Sequence, residues 1–182
     1  MSSQSPERLN ITLRPVCPDD HDFLLEVYAG TRAEELALVP WTNEQRQAFI
    51  RMQFTAQQDH YAKTYPAASH DIIVSDNRQV GRLYVARLDH EIRIVDITVL
   101  PSERNGGIGS YLIKQLLDEA KRTGKITRIY VEEFNPSLHL FERLGFLRSD
   151  QHGIHVLMEW TGSQHAHSSP LPELNTETEN KI

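Results

Sequence analysis

An arginine and three glycines lie close together between Arg104 and Gly109, directly before an amphipathic helical pattern. Gly106 fits an Asn-Gly turn. Gly107 and Gly109 are harder to explain, because glycine at the start of a helix costs roughly 1 kcal/mol relative to alanine. The first amides of a helix lack partners within the helix, and the helix dipole favours negative charge there. Bare backbone at this point, with Arg104 beside it, is typical of a phosphate site.

Two common phosphate-binding loops do not fit this segment. A nucleoside-triphosphate loop needs Gly-Lys followed by Ser or Thr, whereas Gly109 precedes Ser110 and Tyr111. A dinucleotide fingerprint needs a third glycine where this chain has Leu112, inside a parallel βαβ unit early in the fold. We therefore expect another class of phosphate ligand, and a different nucleotide is kept as a weaker alternative.

Two carboxylates are candidates for accepting a proton. Strand residues alternate in direction, so Tyr130 and Glu132 share one face of their predicted strand and Val131 lies on the other. Asp96 stands in an apolar strand, where a carboxylate is unusual. Glu132, acting through a water, and Asp96 are both candidate general bases. Asp96 is equally well explained as a hydrogen-bond acceptor for a neighbouring loop.

The elements that would position these residues follow from the hydrophobic period. Alternation predicts strands and a 3.6-residue period predicts helices. The predicted order is β-α-α-β-β-β-α-β-α-β-β, which indicates an α/β (α+β) domain with a central, mostly antiparallel sheet flanked by helices. The predicted strands span residues 11–16, 72–75, 79–88, 91–100, 127–131, 147–150 and 154–160, with the helices between them.

Helix boundaries are predicted from capping residues. Asp19 is the predicted N-cap of the first helix, and Gly30 is its predicted end. Thr42 followed by Gln45 is a capping-box signature for the second helix, which Pro66 ends.

The chain divides into a flexible segment 1–10, a domain 11–161 and a disordered polar tail 162–182. Cys17 is the only cysteine, so neither an intrachain disulfide nor a thiolate zinc set can form. The two histidines of the tail are interpreted as solvent-exposed residues, and no metal is expected.

Composition limits the classes of partner. The formal charge of −6 and the pI of about 5.8 argue against a nucleic-acid partner. The N-terminus lacks the apolar core of a signal peptide, and no stretch approaches the ~18 consecutive apolar residues of a membrane helix. These features predict a cytoplasmic protein without a membrane partner.

Two segments resemble consecutive motifs of the GNAT acyl-CoA N-acyltransferases. The first is VDITVLPSERNGGIGSYLIKQLLDEA and the second, at the expected distance, is VEEFNPSLHLFERLGF. The predicted element order also matches, so the resemblance covers about residues 11–160. It implies that acetyl-CoA is the cosubstrate and lies between the strands 91–100 and 127–131, which splay apart. The implied acceptor is an amine of a small molecule or peptide, attacked directly, and a homodimer is an open alternative.

The resemblance also implies roles for individual residues. The strand backbone at Ile97, Thr98 and Val99 would pair with the pantetheine arm and polarise the thioester carbonyl. Asn135 would contact the pantetheine near the thioester. The loop whose amides would hold the pyrophosphate comprises Arg104, Asn105, Gly106, Gly107, Ile108, Gly109 and Ser110. This is electrostatic stabilisation by prepositioned donors combined with proximity.

One cofactor-site position departs from the family pattern. Many relatives have a tyrosine at the position of Phe141, interpreted as the acid that protonates the thiol, and Phe141 cannot donate a proton. A positioned acid contributes about 10²–10⁴-fold, and a thiol with a pKa of about 8.5 leaves readily as a thiolate. Slower catalysis is therefore expected rather than none. Tyr130, Tyr111 and His139 are possible substitutes, and His139 is alternatively a surface histidine.

The acceptor is expected from the side of the first two helices. The candidate residues there are Glu34, Glu35, Trp41 and Tyr61, with Arg32, Phe54 and Gln57 nearby. The glutamates and Trp41 could receive a cation. Alternatively, Trp41 and Phe54 belong to the core and the glutamates form a solvated face. A competing hypothesis for the whole protein, favoured by Phe141, is a GNAT fold that binds CoA without efficient chemistry.

Overall fold

The computed structural model describes residues 10–162, and the ends predicted to be flexible lie almost entirely outside this range. Its elements in chain order are β1 (Ile11–Pro15), α1 (His21–Ala37), α2 (Asn43–Thr64), β2 (Ser69–Ser75), β3 (Arg78–Arg87), β4 (Glu91–Val99), α3 (Ile108–Thr123), β5 (Ile126–Glu132), α4 (Leu138–Arg143), β6 (Leu147–His152) and β7 (His155–Trp160). The predicted element order is confirmed. None of the helices in this range is long and apolar enough to cross a membrane.

The strands form one seven-stranded sheet in the order β1-β2-β3-β4-β5-β7-β6. Every neighbouring pair is antiparallel except β4 and β5, so the predicted mostly antiparallel sheet is confirmed. The parallel pairing of β4 with β5 is confined to residues 91–93 and 126–128. Beyond this short ladder the two strands do not pair, as the resemblance implied.

A bulge in β4 lies next to this separation. Tyr84 of β3 faces Asp96, and the next residue, Val85, faces Ile94, so Val95 is an extra residue on β4. A bulge bends its strand and increases the local twist. The later half of β4 therefore stays paired with β3 while its other edge turns away from β5.

Helices cover both faces of the sheet. Adjacent β2 residues show this, because Ile73 belongs to the cluster that packs under α3 and Ile72 to the cluster of α1 and α2. The apolar face of α3 comprises Ile108, Leu112, Ile113, Leu116, Leu117 and Ala120, all buried. The smaller cluster joins Leu24, Tyr28 and Phe54 to Ile72. The predicted core position of Phe54 is confirmed.

The first helix differs from its prediction at both ends. A 3₁₀ turn precedes α1, and Asp20 rather than Asp19 occupies the N-cap position. Gly30 does not end the helix, which continues to Ala37. A Cβ at Gly30 would lie 3.0 Å from Pro101 Cδ, so this glycine permits α1 to contact the segment before α3. In α2 the predicted Thr42–Gln45 capping box is confirmed.

Gly81 on β3 allows β4 to approach closely. A Cβ at this position would overlap the Thr98 carbonyl oxygen and lie 2.9 Å from Val99 Cα. We expect Gly81→Ala to lower the free energy of unfolding by about 1–3 kcal/mol, because overpacking against backbone forces a shift of β4. Denaturant unfolding would measure this, with Ala86→Gly, elsewhere on β3, as a control for strand propensity. A neutral Gly81→Ala would contradict the close approach.

Candidate active site

The separated ends of β4 and β5 form a cleft. Its β4 wall consists of Ile97, Thr98 and Val99, all half-buried. On one side these residues pair with β3, and on the other side no described strand pairs with them. Backbone N–H and C=O groups along this edge therefore need partners from outside the sheet. The contact of these three residues with a pantetheine arm stays a prediction.

The glycine loop lies between β4 and α3. Asn105 and Gly107 adopt left-handed conformations with φ of 63° and 85°, which shape the turn into the helix. Gly107 is the N-cap residue, and no side chain caps the helix there; its first turn also contains no acidic residue. Gly106 and Gly107 are exposed. The start of α3 thus presents bare amides and a positive dipole end, which fit an anion such as a pyrophosphate.

Arg104 connects this loop to α1. Its Nη2 donates a hydrogen bond to the carbonyl oxygen of Gly30 at 3.1 Å, and its side chain is exposed. The contact places the guanidinium of Arg104 beside Gly30 of α1. A role for Arg104 in phosphate binding remains a prediction that its position permits.

The turn after β5 contains Asn135, which is exposed. Its side-chain Oδ1 accepts a hydrogen bond from the backbone N–H of Ser137 at 2.9 Å. The NH2 group of the Asn135 side chain is not used in this contact and could donate to a ligand. In α4, Phe141 is only 2% exposed and packs edge-on against Phe146 at 5.3 Å between ring centroids. Phe141 is therefore a core residue in this structure, and its predicted contact with the cofactor stays a prediction.

His139 lies on the outer surface of α4. Its side chain is 78% exposed, and Nδ1 lies 3.3 Å from a carboxylate oxygen of Glu142. The structure does not bring His139 to either candidate base. This arrangement agrees with the alternative that His139 is a surface histidine.

Tyr130 and Glu132 project from the face of β5 opposite the buried Val131, as predicted. Tyr130 is exposed, and the Arg93 guanidinium lies 5.2 Å from its ring centroid. Glu132 ends β5 at the open end of the cleft. Its Oε1 lies 3.6 Å from Nη1 of Arg32, so α1 meets β5 at this point. The Glu132 carboxylate is accessible to water, as a general base acting through water requires.

Asp96 lies in a different environment, on the face of the sheet covered by α1 and α2. Its carboxylate forms an ion pair with Arg82 of β3, whose side chain is 1% exposed. Arg82 also donates to Gln57 Oε1 of α2 at 2.6 Å, and Thr98 Oγ1 donates to Asp96 at 2.7 Å. The observed partners of Asp96 are thus strand residues, not a loop. Each of its carboxylate oxygens accepts a hydrogen bond from one of these donors, and its role as a general base stays a prediction.

Aromatic residues surround this ion pair. Burial raises the pKa of Tyr61, and the charge of Asp96 raises it further. Burial, followed by the charge of Arg82, lowers the pKa of His70 to about 4. Both rings approach Tyr84, at centroid distances of 5.4 Å for Tyr61 and 4.5 Å for His70. At neutral pH the cluster therefore contains one ion pair among uncharged rings.

The structure does not bring the predicted acceptor residues together in one site. Glu34 and Glu35 are both exposed. Glu35 accepts a hydrogen bond from Arg32 at 3.3 Å and so joins Glu132 around this guanidinium. Tyr61 lies with Asp96. Trp41 is half-buried and packs edge-on against Phe49 at 5.2 Å.

Sequence reasoning missed Arg82. A detectable signal existed, because an arginine in one apolar strand can reach a carboxylate that lies diagonally from it on the same face of the next antiparallel strand. Here Arg82 pairs with Thr98, and Asp96 is its diagonal neighbour.

The sequence profile of the acetyltransferase (GNAT) family matches residues 31–146. The match covers more than half of the chain and spans the cleft, the glycine loop and α4. The chain therefore belongs to the GNAT acetyltransferase family, in agreement with the resemblance of its two motifs. No curated protein matches the chain significantly.

Solved structures share the fold at low sequence identity. PaiA N-acetyltransferase from Thermoplasma acidophilum, in complex with coenzyme A, has a TM-score of 0.64 and 17% identity over 84% of this chain and 99% of that chain. A GNAT family acetyltransferase from Elizabethkingia anophelis with acetyl-CoA bound has a TM-score of 0.54 and 19% identity, over 84% of this chain and 98% of that chain. The ribosomal-protein-S18-alanine N-acetyltransferase from Escherichia coli has a TM-score of 0.54 and 16% identity, over 88% of this chain and 99% of that chain.

Proposed function

We propose that this protein transfers the acetyl group of acetyl-CoA to a primary amine of a small molecule or peptide. The observation that supports the proposal most strongly is the uncapped, glycine-rich start of α3 beside the unpaired edge of β4. The uncapped helix start suits a pyrophosphate, and the unpaired strand edge suits the extended, amide-containing pantetheine arm of CoA. Two of the similar structures were solved with CoA or acetyl-CoA, which supports the same ligand here.

The chain's own groups account for the steps of a direct transfer. The thioester of acetyl-CoA supplies the activated acetyl group. Backbone donors on the free edge of β4 hold the thioester carbonyl and stabilise negative charge developing on its oxygen. Glu132, through a water, accepts a proton from the ammonium form of the acceptor. The neutral nitrogen then attacks the carbonyl carbon and gives its second proton to solvent water, and the C–S bond breaks to release the CoA thiolate.

The thiolate either leaves as the anion or takes a proton at sulfur. Phe141 cannot provide that proton, because it is a buried hydrocarbon ring. Tyr130 is the candidate acid, since it is exposed on the same strand face as Glu132. A tyrosine acid would add to the rate without being indispensable, because thiolates are good leaving groups.

A second function class is favoured by the same Phe141. A GNAT fold without an acid could bind CoA as a sensor or interaction partner. It would share the glycine loop and the cleft with an enzyme and would lack turnover. The cytoplasmic location and the homodimer expected above also stay predictions.

Ligand-dependent thermal stability tests cofactor binding first. Acetyl-CoA or CoA at ~100 times its dissociation constant should stabilise the protein by about 2.7 kcal/mol, and ATP or NAD should not. Thiol release with a panel of amines then separates the two classes. Stabilisation without any turnover would favour the binding module, and an equal response to ATP would contradict the acetyl-CoA proposal.

A further inference from the structure

An ion pair between α1 and β5 lies at the entrance of the cleft on the acceptor side. Arg32 Nη1 and Glu132 Oε1 are 3.6 Å apart, and the two side chains are 31% and 40% exposed. The distance is too long for a hydrogen bond. Such an exposed pair contributes at most about 1 kcal/mol, so a ligand can rearrange it at little cost.

Arg32 is held in place independently of Glu132. Its Nη1 also contacts Glu35 Oε2 at 3.3 Å, and its guanidinium lies 5.8 Å from the ring centroid of Tyr28, which is buried in α1. These contacts keep the guanidinium at the entrance when Glu132 turns towards an amine. Arginine presents a planar set of donors that matches a carboxylate.

We propose that the amine acceptor is a zwitterion of the α-amino acid type, whose carboxylate binds Arg32 while its amine faces Glu132. This inference rests on the proposed acetyl transfer and specifies its substrate class. In an α-amino acid one carbon separates the ammonium from the carboxylate. The molecule can therefore lie alongside the ion pair with its carboxylate next to Arg32 and its ammonium next to Glu132. A polyamine can meet Glu132 with an ammonium group but has no carboxylate to bind Arg32.

The proton and bond balance follows the proposed reaction. The ammonium of the amino acid loses one proton to Glu132 through water, its nitrogen forms the new bond to the acetyl carbon, and the nitrogen then gives its second proton to solvent water. The C–S bond breaks and the thiolate leaves. The product is an N-acetyl amino acid that retains its carboxylate.

Matched acceptors test the substrate class. Leucine, phenylalanine and lysine are compared with 3-methylbutylamine, phenethylamine and cadaverine, which lack only the carboxylate, and thiol release is followed at fixed acetyl-CoA. We expect kcat/KM for the amino acids to exceed that of their decarboxylated partners by about 10-fold or more, the range of a charge-assisted hydrogen bond. Arg32→Gln should remove this preference, by raising KM for the amino acids more than KM for the plain amines.

Arg51→Gln is the control, because Arg51 is an exposed arginine of α2 away from the cleft. It should retain the preference for amino acids. Equal or better turnover of the plain amines by the wild type would overturn the zwitterion and leave acetyl transfer standing. An equal effect of Arg32→Gln on both acceptor sets would also overturn it. Absence of turnover with every amine, despite stabilisation by acetyl-CoA, would remove the proposed function and this inference together.

Discussion

Alanine in place of Gly109 will weaken acetyl-CoA binding and will not destabilise the free protein. Gly109 lies in the first turn of α3, where alanine is favoured over glycine by up to about 1 kcal/mol. The new Cβ would meet only Leu140 Cδ2, at 3.4 Å, which is ordinary contact. Bound pyrophosphate would lose its close approach to the backbone amides. Loss of one or two charge-assisted hydrogen bonds corresponds to about 10- to 100-fold in affinity.

Calorimetric titration with acetyl-CoA and denaturant unfolding of the free protein measure the two effects separately. Gln115→Ala, an exposed change further along α3, is the control and should leave the affinity unchanged. Unchanged binding by Gly109→Ala would show that the pyrophosphate lies elsewhere. A fall in both affinity and stability would instead mean that this glycine is needed for packing.

The second large effect concerns the buried ion pair. Arg82→Met should lower the free energy of unfolding by about 3–5 kcal/mol, because it leaves the Asp96 carboxylate buried without its counter-charge. For a chain of this length the loss corresponds to a fall in Tm of roughly 6–20 °C. The double variant Arg82→Met/Asp96→Asn should recover part of the stability, since it removes the unpaired charge and keeps an acceptor for Thr98.

Arg78→Met provides a matched control on the same strand. Arg78 pairs with Glu103 at the surface, where its side chain is 66% exposed, so its replacement should cost less than about 1 kcal/mol. Thermal unfolding of the four proteins forms the comparison. A similar small loss of unfolding free energy for Arg82→Met and Arg78→Met would show that the buried pair contributes little. A double variant no more stable than Arg82→Met would argue against the unpaired charge as the cause of the destabilisation.

Local patterns in the sequence determined the order of the elements and much of the cofactor side of the cleft. The alternation that places Tyr130 and Glu132 on one face depends only on strand geometry. The glycine loop before α3 is likewise a contiguous segment, so its bare helix start could be predicted from composition and spacing. The mostly antiparallel sheet followed from several strands connected by short turns.

Contacts between distant segments were decided only by the tertiary structure. Gly30 has the sequence context of a helix end, yet it allows α1 to touch Pro101, a residue about 70 positions later. The ion pair of Arg82 with Asp96 depends on the register of β3 against β4, including the bulge. The meeting of Arg32 with Glu132 depends on how α1 packs across the sheet towards β5. Such pairings arise from packing and strand register between distant segments, and a local sequence pattern does not contain this information.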